Sequence, residues 1–354
     1  MKKKLLYLAA ALILLLSSLA VKFLPEPEAE RPYSGEGLTV HFIDVGQADC
    51  ALLECDGEYM LIDGGNVEDS RLVVAYLQQL GVQQLDTIIC SHAHEDHVGG
   101  LPAVLAVYPT QTILAPTKTY SSQVFDDFLH YADQQRVEVT IPSPGDVYSL
   151  GDDKTGAAVT VLGPVKSYAE TNDTSIVVRV DYGANSFLFT GDMEVAAEND
   201  MLEHWESRTD WKVDVLKVGH HGSDSSTGYR FLYETEPAYG VISVGTGNSY
   251  GHPQENILSR LEDAGVTLLR TDRLGTILAH ADGREITFTW ENGKAQPDYV
   301  QSAAEICFYG NIKSRKFHLT DCSSLPAEGN RVIFGSYAEA TAAGYLPCGS
   351  CLGG

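Results

Sequence analysis

Basic side chains are scarce in this sequence: 24 Lys and Arg stand against 48 Asp and Glu, a formal net charge of −24 at pH 7. The deficit is concentrated in residues 38–305, which hold 15 basic and 41 acidic residues. Such a body repels polyanions at long range, so an anionic substrate needs a local cationic device, such as bound metal. No Lys/Arg-rich groove is legible there; Lys118, Lys166, Lys217, Arg179, Arg230, Arg270 and Arg273 are scattered. Beyond residue 24 there is no run apolar and long enough for a second membrane span. Collagen-like, coiled-coil, low-complexity and short-period repeat patterns are also missing, which excludes fibrous and solenoid classes. The cysteines number 7, so at least one has no intramolecular disulfide partner. Cys50 and Cys90 fall in apolar strand contexts and read as buried thiols.

What is present starts with a charged Met1-Lys-Lys-Lys4 followed by an apolar stretch from Leu5 to Leu24. Residues 1–24 read as a signal peptide or a membrane anchor, and either reading puts the rest of the chain outside the cytoplasm. Residues 25–37, with Pro25-Glu-Pro-Glu-Ala-Glu-Arg-Pro32, read as a polar linker. From residue 38 the pattern alternates between strand and helix. Leu38–Val45 is β-branched and alternating, Ala51–Cys55 and Tyr59–Ile62 form a hairpin around Asp56-Gly57, and Leu85–Cys90 is a buried strand. A helix over 69–80 presents Leu72, Tyr76, Leu77 and Leu80 on one face, a second is expected over 98–108 and a third over 194–206. Two β-rich halves with covering helices predict two mixed sheets packed face to face. Residues 38–295 form this domain, 296–305 a second linker, and 306–354 a cysteine-bearing tail.

The most informative stretch is Ser91-His-Ala-His-Glu-Asp-His-Val-Gly-Gly100, where three His and one Asp fall within six residues at the end of a buried strand. Imidazole and carboxylate are the donors that borderline divalent metals such as zinc prefer. The spacing aims His92 and His94 one way and brings Asp96 and His97 to a second position nearby, so it suggests two adjacent metal sites.

His-Ala-His-Glu-Asp-His matches the HxHxDH signature of the metallo-β-lactamase fold hydrolases. Asp63 in Leu-Ile-Asp-Gly-Gly, Asp192 in Phe-Thr-Gly-Asp and His220-His221 in His-His-Gly-Ser continue the match in order. With Asn172-Asp-Thr-Ser175 and Tyr250-Gly-His-Pro253, the chain resembles the extracytoplasmic domain of ComEC-type competence proteins over about residues 38–290. The resemblance implies an α/β fold, an αββα sandwich with a dinuclear site at the shared edge of its sheets. It implies that His92 and His94 hold one metal, that Asp96, His97 and His221 hold the other, and that Asp192 bridges them. Asp63 would orient the motif from behind, and Asn172 stands where many superfamily members supply a further histidine. His220 would face substrate, His252 would contact substrate or act as a general acid, and Asp96 belongs to the catalytic set. Ser223 is read as a helix cap rather than a nucleophile.

Two divalent ions, zinc or manganese, about 3.5–4 Å apart would make bound water a nucleophile near neutral pH and oppose the charge of a phosphodiester. The expected function is thus an exported metal-dependent phosphodiesterase or nuclease, with a phosphodiester such as DNA as substrate and the membrane as a partner if residues 1–24 are retained. The alternatives are a small-molecule hydrolase of lactonase or β-lactamase type and a non-catalytic DNA-binding module. In the tail, His318, Cys322, Cys348 and Cys351 have the spacing of a closed structural zinc site, which would staple a module too short for a large core. This stretch resembles the Ada-type metal-binding module. The alternative is a disulfide from Cys322 to Cys348 or Cys351.

Overall fold

A computed structural model describes residues 37–352 except 153, 207–210, 294–296, 298–307, 321 and 336. The expected signal or anchor, the linker up to residue 36, most of the second linker and Cys307 lie outside the described residues. Among the described residues no helix is long and apolar enough to cross a membrane.

The chain begins with β1 (Leu38–Phe42), β2 (Ala51–Cys55), β3 (Glu58–Ile62), β4 (Leu85–Ile89), β5 (Thr110–Leu114) and β6 (Val139–Thr140). A second sheet follows: β7 (Val147–Leu150), β8 (Ala157–Gly163), β9 (Val177–Tyr182), β10 (Asn185–Phe189), β11 (Val215–Lys217), β12 (Tyr239–Ile242) and β13 (Thr267–Arg270). The chain then returns to the first sheet as β14 (Ile277–Ala281) and β15 (Ile286–Trp290), giving the orders β15-β14-β1-β2-β3-β4-β5-β6 and β13-β12-β11-β10-β9-β8-β7. The expected β2–β3 hairpin forms because Asp56 and Gly57, at φ 51° and 83°, both take the positive φ that a tight two-residue turn requires.

Alternation along the strands sends one set of side chains between the sheets. There Phe42 of β1 stacks on Phe189 of β10, ring centroids 5.9 Å apart, amid Leu53, Met60, Val159, Val178 and Val180. The outer faces are covered by the helices Ser70–Gln79, Leu101–Val107 and Gln123–Gln135 on one side, and Val195–His204, Tyr229–Thr235 and Glu255–Asp263 on the other. This is the expected αββα sandwich.

Two local expectations need adjustment. The helix Ser70–Gln79 buries Val73 and Leu77, whereas Leu72 is 45% exposed. The stripe facing the sheet is centred on that i, i+4 pair, and Leu72, one residue earlier, is turned about 100° toward solvent. The helix expected over 98–108 forms as Leu101–Val107, and Gly99-Gly100 divide it from a separate turn of helix before it, Glu95–Val98. There the chain crosses the loop after β3 so closely that a Cβ on Gly100 would collide with the Gly64 carbonyl oxygen.

The tail forms a separate small sheet, β16 (Phe308–Asn311), β17 (Lys316–His318), β18 (Arg331–Phe334) and β19 (Leu346–Pro347), in the order β18-β16-β17-β19, with a helix Tyr337–Ala342. Its core of Phe308, Phe317, Phe334, Tyr337 and Tyr345 packs against Tyr229 of the helix Tyr229–Thr235.

The inter-sheet stack is the joint between the two halves. Phe42→Ala should cost about 3–5 kcal/mol of unfolding free energy in urea titration, through lost burial and an unfilled cavity. A cost under about 1 kcal/mol would show that the sheets are not joined there.

Candidate active site

Strands β3 and β4 of the first sheet run parallel, as do β10, β11 and β12 of the second. Their carboxyl ends deliver the loops bearing Asp63, Ser91–His97, Asp192, His220–His221 and Ser243 to one place, the crevice where open α/β sheets bind ligands.

Asp63, at φ 61°, turns its carboxylate back under the motif. One oxygen accepts the Ser91 N–H at 2.7 Å; the other accepts the Ser91 hydroxyl at 2.7 Å and lies 2.8 Å from His97 Nδ1. Donation from Nδ1 leaves His97 Nε2 as the nitrogen that can ligate once it has given up its proton. The glycines between the two helices make this possible: Gly64 N–H donates to the His97 carbonyl at 2.7 Å and Gly100 N–H to the Gly65 carbonyl at 3.2 Å, locking the two loops together.

His220 and His221 lie in a short 3-10 turn rather than on a strand end, and both are left-handed, at φ 49° and 53°. Consecutive non-glycine residues in that region cost about 1–3 kcal/mol each, and such strain collects at functional sites. His221 Nδ1 is 3.0 Å from the Ser243 carbonyl and 3.2 Å from Asp49 Oδ1, so His221 Nε2 is the free nitrogen. Asp49 in turn pairs with Lys217 at 2.8 Å, both almost fully buried.

The free atoms converge. His97 Nε2 is 3.3 Å from Asp192 Oδ1, and His221 Nε2 is 3.3 Å from Asp96 Oδ2 and 3.7 Å from Asp192 Oδ2. His97 Nε2, His221 Nε2 and Asp192 Oδ1 are buried without a hydrogen bond of proper geometry. The ligand atoms of Asp96, His97, Asp192 and His221 all lie within 4.8 Å of one another. Leaving such atoms unpaired is costly, and two imidazole nitrogens with two carboxylates are a fitting donor set for a divalent ion. Beside them, His92 Nε2 is 3.1 Å from His94 Nδ1 and 3.9 Å from Asp192 Oδ2. Asp192 thus faces both groups.

Charge follows this layout. Burial works against a charged His221, but Asp192 and Asp49 outweigh it and push its pKa to about 10. Burial likewise opposes a charged His97, and Asp192 and Asp63 overcome it, holding the group well above the ordinary imidazole value. Burial, reinforced by the neighbouring His97, drives His92 the other way. Despite its burial, Asp96 is held down at about 2 by His97 and His221.

Of the residues singled out in the sequence, His92, His94, Asp96, His97, Asp192, His221 and Asp63 come together. His220 is at the rim, 24% exposed, with Nε2 3.7 Å from Asp192 Oδ2 and Nδ1 3.5 Å from Glu194 Oε1. His252 packs edge-on against it at 5.7 Å, and burial beside His220 lowers its pKa. Asn172 Nδ2 donates to Glu194 Oε1 at 3.4 Å, the carboxylate oxygen that also lies beside His220. Ser175 of the same motif reaches the site: its hydroxyl accepts the Asp192 N–H at 3.1 Å and lies 3.5 Å from His92 Nδ1. Ser223 does not cap the helix Tyr229–Thr235, which has no side-chain cap on its own residues. The N–H groups of Thr227 and Gly228 are taken by the Glu198 carboxylate of another helix. Asp49, Lys217, Ser91 and Ser175 have no signature in spacing. A lysine inside the apolar Val213–Val218 run was the one available clue, since a lysine is seldom fully buried unless paired.

In the tail, the ligand atoms of His318, Cys322, Cys348 and Cys351 also lie within 4.8 Å of one another, and the three thiols are free. Burial disfavours the Cys348 thiolate, yet the backbone N–H groups of Ser350 and Cys351 bring its pKa below the usual thiol value, which suits a metal-bound sulfur.

The model of the metallo-beta-lactamase superfamily matches residues 43–246. ComE operon protein 3 of Bacillus subtilis is 30% identical over 72% of this chain and 34% of its own length. Recombination protein 2 of Haemophilus influenzae is 31% identical over 63% of this chain and 26% of its own, and competence protein ComA of Neisseria gonorrhoeae 30% over 66% and 31%. The chain therefore spans only about a third of these curated relatives or less.

Because Asp192 and Asp49 raise the His221 pKa to about 10 despite its burial, an ion that binds Nε2 competes with a proton there. Zinc or manganese titrated into the metal-free protein at pH 7 should release at least one proton per ion, and affinity should rise with pH. Calorimetry in buffers of different ionisation enthalpy reads this directly; binding without proton release would contradict the site as drawn.

Proposed function

The chain belongs to the metallo-beta-lactamase superfamily, and from that premise we propose that it is a metal-dependent phosphodiesterase or nuclease acting outside the cytoplasm. The observation that carries the reading is the convergence of the unpaired, buried His97 Nε2, His221 Nε2 and Asp192 Oδ1. His97, His221, Asp96 and Asp192 would hold one ion, His92 and His94 with Asp192 the other. When bound, paired divalent ions supply Lewis acidity: they acidify water and offset charge on a phosphate.

The chain's own residues do the rest. Asp63 presents Nε2 of His97 by taking the proton on Nδ1, and Asp49 with the Ser243 carbonyl does the same for His221. Lys217 neutralises Asp49, so this buried carboxylate stays ionised without adding net charge to the site. His220, at the rim, can deliver a proton from Nε2 to a leaving oxygen, and His252 packs edge-on against its ring. Location outside the cytoplasm rests on residues 1–24. His318, Cys322, Cys348 and Cys351 would hold one structural zinc.

The acidic body repels an anionic diester at long range, so such a substrate would be held by the cationic centre itself, whose paired charges match a phosphodiester better than a neutral amide or ester. The relatives named for competence and recombination point the same way, toward DNA.

The purified protein, loaded with manganese or zinc, should hydrolyse bis-p-nitrophenyl phosphate and single-stranded DNA but not nitrocefin. Asp192→Ala should abolish turnover. His220→Ala should lower kcat by about 10²-fold, the usual contribution of a positioned general acid. Cleavage of nitrocefin alone, or full activity in Asp192→Ala, would overturn the reading.

A further inference from the structure

Tyr250 is 68% exposed, among the most exposed of the large hydrophobic side chains described. It is nevertheless held in place. Asn248 Oδ1 accepts the Tyr250 N–H at 3.1 Å and the His252 N–H at 3.0 Å, while its Nδ2 donates to the carbonyls of Gly245 at 2.9 Å and His252 at 2.6 Å. Gln47, from the loop after β1, fastens the same loop, accepting the Gly245 N–H at 3.2 Å and lying 3.4 Å from His252 Nδ1. The Tyr250 ring stacks on His252 with centroids 5.7 Å apart and planes 27° from parallel. Folding gains little from fixing an aromatic ring in water, so the ring is pre-organised for something else.

A continuous chain of contacts leads from this ring to the metal-ligating groups. Tyr250 meets His252, His252 meets His220 at 5.7 Å, and His220 Nε2 reaches Asp192 Oδ2 at 3.7 Å. From Asp192 the chain continues to His92 at 3.9 Å and on to His94 at 3.1 Å, and it ends on Tyr120, whose half-buried ring lies edge-on to His94 at 6.3 Å. A tyrosine therefore stands at each end of a run of rings with Asp192 in the middle. His92, His94 and His220 have their own work at the metal centre, but a phosphoester without aromatic groups has no use for the exposed ring of Tyr250. A nucleotide diester does, because it carries a flat base beside its scissile phosphate, and base–aromatic stacking is tolerant of sequence.

We propose that Tyr250 is a specificity-determining residue on which a nucleobase flanking the scissile phosphate stacks, so that the site selects nucleotide diesters over simple ones. This rests on the phosphodiesterase reading. No basic groove is needed: the metal centre takes the phosphate and the exposed ring takes the base.

The test compares two substrates with one leaving group, the p-nitrophenyl ester of thymidine 5′-phosphate and methyl p-nitrophenyl phosphate. The wild type should prefer the thymidine ester in kcat/KM. Tyr250→Ala should reduce that preference about 10-fold or more, chiefly through KM, and Tyr250→Phe and Tyr250→Trp should retain it. An unchanged preference in Tyr250→Ala, or a wild type with none, would overturn the proposal. Binding of thymidylyl-thymidine to the zinc-loaded protein, followed by nuclear magnetic resonance, separates the two readings. If neither ester is hydrolysed, the phosphodiesterase reading falls; a Kd at least 10-fold weaker in Tyr250→Ala still supports the stacking platform, and an equal Kd rejects it.

Discussion

The site depends on carboxylates placed behind histidines. Asp63 takes the Nδ1 side of His97, and Asp49 with the Ser243 carbonyl takes that of His221. Each imidazole is left with one available nitrogen, and the fold gives both nitrogens the same direction. Fixing tautomer and ring orientation in this way is what partners behind a metal ligand do. The two sheets are needed because no single one supplies both halves: Asp63, His92, His94 and His97 follow strands of the first, Asp192 and His221 strands of the second.

Holding so many acids underground requires compensation. Asp49, Asp63 and Asp192 are all nearly inaccessible. Asp63 receives a backbone N–H and a hydroxyl, and Asp49 receives the Lys217 ammonium. A buried ion pair contributes little net stability against a well-packed apolar pair, but removing one partner is strongly destabilising. The Lys217–Asp49 pair is thus better explained by the orientation of His221 than by stability. The left-handed backbone at His220 and His221 fits the same economy: local strain accepted where it aims a side chain.

Much of this was legible in the sequence because the chemistry-bearing residues are concentrated. Four of the converging side chains lie within residues 92–97, and the hairpin, the alternating strands and the sandwich follow from period-2 and period-3.6 patterns. What was not legible acts across long sequence separations. Lys217 meets Asp49 168 positions away, and only the folded pairing of loops from two sheets reveals that the lysine is internal. Ser175 reaches the site because it follows the short turn over 172–174, which brings its hydroxyl to Asp192 and His92. Glu198, not Ser223, serves the start of the helix Tyr229–Thr235, and a carboxylate from a neighbouring helix is invisible to local pattern.

The central claim is that the buried nitrogens of His97 and His221 share one ion with Asp96 and Asp192. Crystals grown with zinc and measured at its absorption edge should show an anomalous peak at bonding distance from His97 Nε2, His221 Nε2 and Asp192. A second, adjacent peak is expected beside His92 and His94. An anomalous map empty at this position, with the four side chains hydrogen-bonded to one another or to water, would contradict the account.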